Sequence, residues 1–123
     1  MSGKVTTFGD FIRERRLAKG LSLRRFAQLI RLSPTYVSQI ETGAEPPPTA
    51  DRARKIAEVL GEPEDVVVLL AGRMPDGIPE ILQERPEELA ALIREAGKLT
   101  GPQIEKLTEE ARRLKKRKKQ SPK

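Results

Sequence analysis

The sequence predicts an all-α fold, on three observations. Apolar residues recur at spacings of three and four through most of the chain, the period of a helix with one buried face. Several of these runs open on Ser or Thr, and several close on Gly, residue types that satisfy a helix's first N–H groups and tolerate the left-handed backbone that ends it. Aromatic residues make up only 3% of the chain, so Val, Leu, Ile and Ala must build the core.

Thr7 caps a first helix that runs to about Lys19, with Asp10 at its third position and Gly20 as its stop. Phe8 and Ile12 mark its buried side, which four residues further on arrives at Arg16. Ser22 caps a second helix whose Leu23, Phe26, Ala27 and Ile30 fall at i, i+3, i+4 and i+7. Leu21 and Phe26 take the two positions of a hydrophobic staple, fixing how the chain enters. After a tight turn Ser33 is the next N-cap, and Pro34 takes the first helical position, where its missing N–H costs nothing. Leu32 can staple onto Val37, and Gly43 stops this third helix. Val37 and Ile40 face inward, and four residues beyond Val37 stands Glu41. Arg16 and Glu41 are therefore opposite charges, each placed where a hydrophobe belongs. Pairing with each other removes the cost of burying either alone; snorkelling to solvent is the alternative.

Ala44-Glu45-Pro46-Pro47-Pro48 is a stiff connector that cannot be helix. Thr49 then caps a fourth helix with Ala53, Ile56, Ala57 and Leu60 inward and Arg52, Arg54 and Lys55 outward, ended by Gly61. Glu62 and Pro63 open a fifth, Val66 to Ala71, apolar almost all round and so expected to be covered; Gly72 ends it.

The third helix, Ser33 to Thr42, is the informative one. With Val37 and Ile40 inward, its outer side carries Thr35, Ser38, Gln39 and Thr42, short uncharged hydrogen-bonding groups without a large apolar residue among them. Such a face suits the donor and acceptor patterns of base edges in a major groove; an ordinary solvated face has the same composition.

The run Leu21 to Gly43, LSLRRFAQLIRLSPTYVSQIETG, resembles the Cro/C1 repressor type of helix-turn-helix, the xenobiotic response element (XRE) family. The matching letters are Leu21, Ser22, Phe26, Ala27, Ile30, Leu32, Ser33, Val37, Ser38, Ile40, Glu41 and Gly43, and the resemblance covers residues 7 to 71 or so. It implies a five-helix Cro/C1 repressor-like bundle, a DNA-binding domain over residues 1–72 and a recognition helix at Ser33 to Thr42. On the same resemblance Ser33, Pro34, Thr35, Ser38 and Gln39 approach bases, and Gln39 suits a bidentate contact to adenine. Ser22, Arg24, Tyr36, Thr42 and the amides opening the second helix approach phosphate. Arg16 and Glu41 become a structural ion pair. Two positions depart from the pattern. Leu23 stands where such proteins often carry a phosphate-touching Gln, and Arg31 stands in the turn where they favour Gly. The proline connector also lacks the basic residues that relatives often have there.

Beyond Gly72, Arg73-Met74-Pro75-Asp76-Gly77 is a turn cluster and a candidate boundary. A short helix is expected over 79–85, and a clearer one from Pro86 with Leu89, Leu92, Ile93 and Ala96 at the helical period. Thr100 with Gln103 is a capping-box signature for a last helix striped by Ile104, Leu107, Ala111 and Leu114. Residues 73–114 thus read as a helical extension whose apolar faces pack on each other, on the bundle, on a second copy or on a partner. Residues 115–123 read as a basic tail, disordered because like charges at this density repel.

The net charge of +6 is unevenly spread: residues 1–60 carry +5, 61–110 carry −7 and 111–123 carry +8. A positive helix-turn-helix portion is the electrostatic footprint expected for phosphate, whereas the acidic middle suits protein or water. The absence of Cys and His removes disulfides, thiolate chemistry, the usual zinc sets and the commonest general base. No enzyme activity, cofactor or metal is expected. No apolar run approaches the roughly 18 residues of a membrane span, and MSGKVTT has no signal-peptide core, so a cytoplasmic protein is expected. The resulting expectation is a homodimeric repressor on an inverted-repeat operator in double-stranded DNA. The alternative is an interaction module, such as an antitoxin, coactivator or regulatory-protease substrate, meeting a toxin or metalloprotease through residues 73–114.

Overall fold

In a computed structural model that describes residues 7–120, the chain forms eight helices and, among the described residues, no strand. They are α1 (Phe8–Ala18), α2 (Leu23–Ile30), α3 (Pro34–Thr42), α4 (Ala50–Leu60), α5 (Glu64–Leu70), α6 (Ile78–Glu84), α7 (Pro86–Ala96) and α8 (Gly101–Gln120). The chain divides into two compact units, Met1–Pro79 and Glu80–Lys123.

In the first unit the four predicted caps are in place. Oxygens of Thr7, Ser22, Ser33 and Thr49 accept from the N–H groups of Asp10, Arg25, Tyr36 and Arg52 at 3.0, 3.0, 3.1 and 3.4 Å. Each cap satisfies an amide that the helix itself leaves unpaired. The starts of four short helices are thereby fixed, and their apolar stripes converge. Phe8, Phe11 and Ile12 of α1, Phe26, Ala27 and Ile30 of α2, Val37 and Ile40 of α3, the α4 stripe and Val67 and Val68 of α5 form one core. Leu21 and Leu32, the outer members of the two staples, pack against it partly buried. α1 packs on α3, α2 on α3 and α4, and α4 on α5.

Two expectations for this unit need correction. The fifth helix is covered on one side only: Val67 and Val68 are buried, while Val66 and Leu69 are 43% and 56% exposed. A helix of 7 residues turns barely twice and offers one side to its neighbour, whatever the hydrophobicity of the other. The boundary also falls later than Gly72, inside α6. Arg73 Nε donates to the Pro48 carbonyl at 3.1 Å and its Nη2 to that of Pro47 at 3.4 Å, while Arg54 Nη1 reaches Asp76 at 3.4 Å. The proline connector has carbonyls without helical partners, and the turn cluster supplies their donor.

In the second unit Thr100 and Gln103 form the reciprocal capping box, with Thr100 N–H to Gln103 Oε1 at 2.9 Å and Gln103 N–H to Thr100 Oγ1 at 3.3 Å. The basic tail differs from its expected disorder: α8 continues through 115 to Gln120, and residues 121–123 lie outside the described residues. Lys and Arg are good helix formers, and at a helix C-terminus their charge faces the negative end of the macrodipole, which offsets their mutual repulsion. No residue of α6 or α7 is buried, and every described side chain of α8 is exposed.

Candidate nucleic-acid interface

α2 and α3 are joined by three residues. Arg31 ends α2 in the left-handed region at φ 61°, its N–H donating to Gln28 O at 3.2 Å, and the Leu32 N–H donates to Ala27 O at 3.0 Å. Arg31 thus adopts the conformation for which the related pattern favours Gly, at a cost on the order of 1 kcal/mol.

Burial of Val37, Ile40 and Glu41 fixes the rotation of α3. Ser33, Pro34, Thr35, Gln39 and Thr42 are left exposed, with Ser38 and Tyr36 half-buried. These groups differ in freedom. The Ser33 hydroxyl oxygen is committed to its cap but retains a donor proton, and Thr42 Oγ1 donates to Gln39 O at 3.3 Å. The side chains of Thr35, Ser38 and Gln39 make no hydrogen bond among the described residues, so the Gln39 amide offers its full set of two donors and an acceptor outward. On α2, Ser22 caps the helix and Arg24 is exposed. The Arg52 guanidinium lies over the Tyr36 ring at 5.9 Å.

Arg16 and Glu41 hold α3 in this attitude. Arg16 Nε donates to Glu41 Oε2 at 2.7 Å and Nη2 to Oε1 at 3.0 Å, a bidentate pair with both residues buried. Arg16 Nη1 donates to the Leu21 carbonyl at 3.0 Å, so one guanidinium ties α1 to the chain entering α2 and to the end of α3. The hydrogen bond to Glu41 raises the Arg16 pKa against the opposing effect of burial. A raised pKa on a base means its stabilising contribution is complete at neutral pH and is lost only in strong alkali.

Gly9 completes the attachment. A Cβ there would sit 2.5 Å from the Glu41 carbonyl oxygen and 2.6 Å from that of Ile40, so the first turn of α1 approaches the backbone of α3 as only Gly permits. Sequence reasoning passed over Gly9; its signal was a Gly inside the first turn of an amphipathic helix, where Ala is the better helix former. It also passed over Arg13. With Asp10, Arg16, Leu23, Ser38, Glu41 and Thr42, Arg13 lines an open groove of about 430 Å³ beside α3, exposed and without an ion-pair partner among the described residues. Among the described residues no three His, Cys, Asp or Glu stand together as a metal site, and no helix is long and apolar enough to cross a membrane.

Residues 12–67 match the family described as Helix-turn-helix. A protein of Aeropyrum pernix, named provisionally an HTH-type transcriptional regulatory protein, is 32% identical over 93 residues, which are 74% of this chain and 27% of the relative. The chain therefore spans about a quarter of that relative's length. Among solved structures, the biofilm master regulator SinR in complex with DNA is 26% identical, with a TM-score of 0.47 over 50% of this chain and 98% of SinR. The clp gene regulator ClgR from Corynebacterium glutamicum is also 26% identical, with a TM-score of 0.48 over 74% of this chain and 90% of ClgR.

Proposed function

We propose that the chain, whose residues 12–67 match the Helix-turn-helix family, is a Cro/C1-type sequence-specific DNA-binding transcriptional regulator, a homodimeric repressor acting in the cytoplasm on an inverted-repeat operator. The observation that carries the reading is the outer side of α3: uncharged hydrogen-bonding side chains, unoccupied at Thr35, Ser38 and Gln39, on a helix clamped by Arg16 and Gly9. In this reading α1 to α5 are the family's five-helix bundle and α3 lies in the major groove. Ser33, Pro34, Thr35, Ser38 and Gln39 meet base edges there, with Gln39 bidentate to adenine. Ser22, Arg24, Tyr36, Thr42 and the first amides of α2 hold the sugar-phosphate backbone and set the register. Arg52 over Tyr36 keeps that ring in place and adds positive charge beside it. Occupancy is the mechanism: a dimer covering a promoter blocks polymerase, and separating the dimer restores transcription.

Selection of bound fragments from random DNA by the full chain, with the mass of the complex measured, tests this directly. The expected outcome is one inverted repeat with half-sites about 34 Å apart, bound by two chains. Fragments without a shared sequence would remove sequence-specific recognition, and one chain per site would remove the dimer.

A further inference from the structure

We propose that Arg13 of α1 and Arg52 of α4 each hold one of the two phosphate strands that border the groove filled by α3; the inference deepens the DNA-binding reading above and rests on it. Burial of Val37 fixes the rotation of α3. At about 100° per residue, Thr35 and Gln39, two positions to either side of Val37, point away from the core, whereas Tyr36 and Ser38, one position to either side, stand on opposite flanks. A helix with its side chains is about 10–12 Å across and the major groove about 12 Å wide. A helix that reads bases with Thr35 and Gln39 therefore fills the groove and sets each flank beside one strand.

One cation stands beside each flank. Arg13 lines the groove of about 430 Å³ that Ser38 and Thr42 also line, and Arg52 lies over the Tyr36 ring at 5.9 Å. Both are exposed, and among the described residues neither makes an ion pair. By contrast Arg15 pairs with Glu62 at 3.1 Å, Lys55 with Glu58 at 3.5 Å, and Arg54 with Asp51 and Asp76.

The other charges lining the Arg13 groove do not cancel it. Arg16 and Glu41 neutralise one another. Asp10 makes no ion pair with Arg13 and sits in the first turn of α1, where its charge meets the positive end of that helix. Arg13 is therefore the lining cation free to meet an anion. Two other places beside α3 supply none: α2 opens on the apolar Leu23, and the connector Ala44 to Pro48 carries Glu45 and no base. A guanidinium suits the task, since its planar fork matches phosphate with two parallel N–H bonds and stays charged at any working pH.

Full-length Arg13→Gln and Arg52→Gln proteins test this, with Lys19→Gln as a control whose side chain lies against Gly61 at the end of α4. Binding to the selected operator and to random duplex is titrated against salt. Each Arg→Gln change is expected to weaken both DNAs by one common factor and to flatten the salt dependence by about 0.9 log unit for each chain bound. Arg13→Lys and Arg52→Lys are expected to restore the slope, and Lys19→Gln to leave it unchanged. Interference by ethylated phosphates then reports the strand: Arg13→Gln is expected to lose sensitivity on one strand of each half-site and Arg52→Gln on the other. Unchanged slopes, an equal drop for Lys19→Gln, or both losses on one strand would overturn the two-sided grip. Unchanged slopes in a chain that still selects an operator would leave the regulator reading standing. Slopes that flatten as expected in a chain that selects no sequence would keep Arg13 and Arg52 on phosphate and remove sequence-specific recognition.

Discussion

α4 and α7 are both 11 residues long and both amphipathic, yet α4 buries Ala53, Ile56, Ala57 and Leu60 while α7 buries nothing. The same contrast separates the units: Met1–Pro79 gathers its stripes into one core, and Glu80–Lys123 leaves Ile81, Leu92, Ile93, Ile104, Leu107 and Leu114 exposed. Amphipathic period therefore specifies a face and not its occupant. Helices as short as α2 and α5 are not stable alone in water, and packing holds them. α8, at 20 residues, draws on its capping box, its helix-forming composition and a Glu110–Arg113 pair one turn apart.

The sharpest break of this comparison removes one acid from each unit. Glu41→Ala leaves Arg16 charged and buried, and loss of one partner of a buried pair costs about 3 to 5 kcal/mol. Glu110→Ala removes an exposed partner and is expected to leave the melting temperature of the first unit unchanged. Denaturant titration of both variants reads the difference, and equal midpoints would mean that the Arg16–Glu41 clamp does not hold α3. The glycines make a second contrast. Gly9→Ala drives a Cβ into the α3 backbone and is expected to cost about 1 to 3 kcal/mol, as overpacking does. At Gly101→Ala nothing lies within 4 Å, so the change is expected to be neutral or to add a little helix by circular dichroism. A Gly9→Ala protein as stable as the parent would mean that α1 and α3 can separate without loss.

Recognition itself is tested by Gln39→Ala. It is expected to reduce discrimination at one base pair of each half-site by about 1 to 3 kcal/mol and to leave binding to random DNA nearly unchanged. An equal loss on operator and random DNA would make Gln39 a backbone contact or a folding residue.

What was legible in the sequence was local. Thr7, Ser22, Ser33 and Thr49 announce helix starts because capping depends on one side chain and the two or three amides beyond it. The placement of Arg16 and Glu41 on apolar stripes is likewise a matter of counting, although their two hydrogen bonds are a fact of the fold. Gly9 was opaque because its reason lies on α3, more than 30 residues away in sequence. Arg73 was opaque in the same way: a turn cluster reads as a boundary until the carbonyls of Pro47 and Pro48 are seen to need a donor. The end of α8 was opaque for another reason: like-charge repulsion is visible in the letters, whereas the macrodipole that offsets it belongs to the formed helix. Arg31 lies between the two cases. The turn geometry was legible, and the strain it implies is testable: Arg31→Gly is expected to stabilise the first unit by on the order of 1 kcal/mol, and an unchanged denaturation midpoint would mean that the αL conformation costs Arg31 nothing.

Whether the charge of the second unit reaches DNA can be read from its basic end. Residues 115–119 are KKRKK, and they lie beyond the apolar stripe that ends at Leu114. Truncation after Leu114 removes six cations and leaves Ile104, Leu107, Ala111 and Leu114 in place. The dimer and its sequence preference are then expected to survive. If the cations lie along phosphate, the truncated protein should bind operator and random DNA more weakly by one common factor, and its salt dependence should flatten by about 0.9 log unit for each phosphate no longer neutralised. The matching cut for the other region belongs after Pro79 rather than Gly72, because Arg73 and Asp76 are bonded to the first unit. That cut removes α8 entirely and is expected to leave a folded monomer without cooperative binding to paired half-sites. Sedimentation of both truncations, with DNA binding titrated against salt, separates the two roles. A dimer that persists without α8 would place the interface in the first unit, where Val66 and Leu69 are exposed on α5. An unchanged salt slope after the shorter cut would leave the basic end of α8 off the DNA and available to an acidic protein surface.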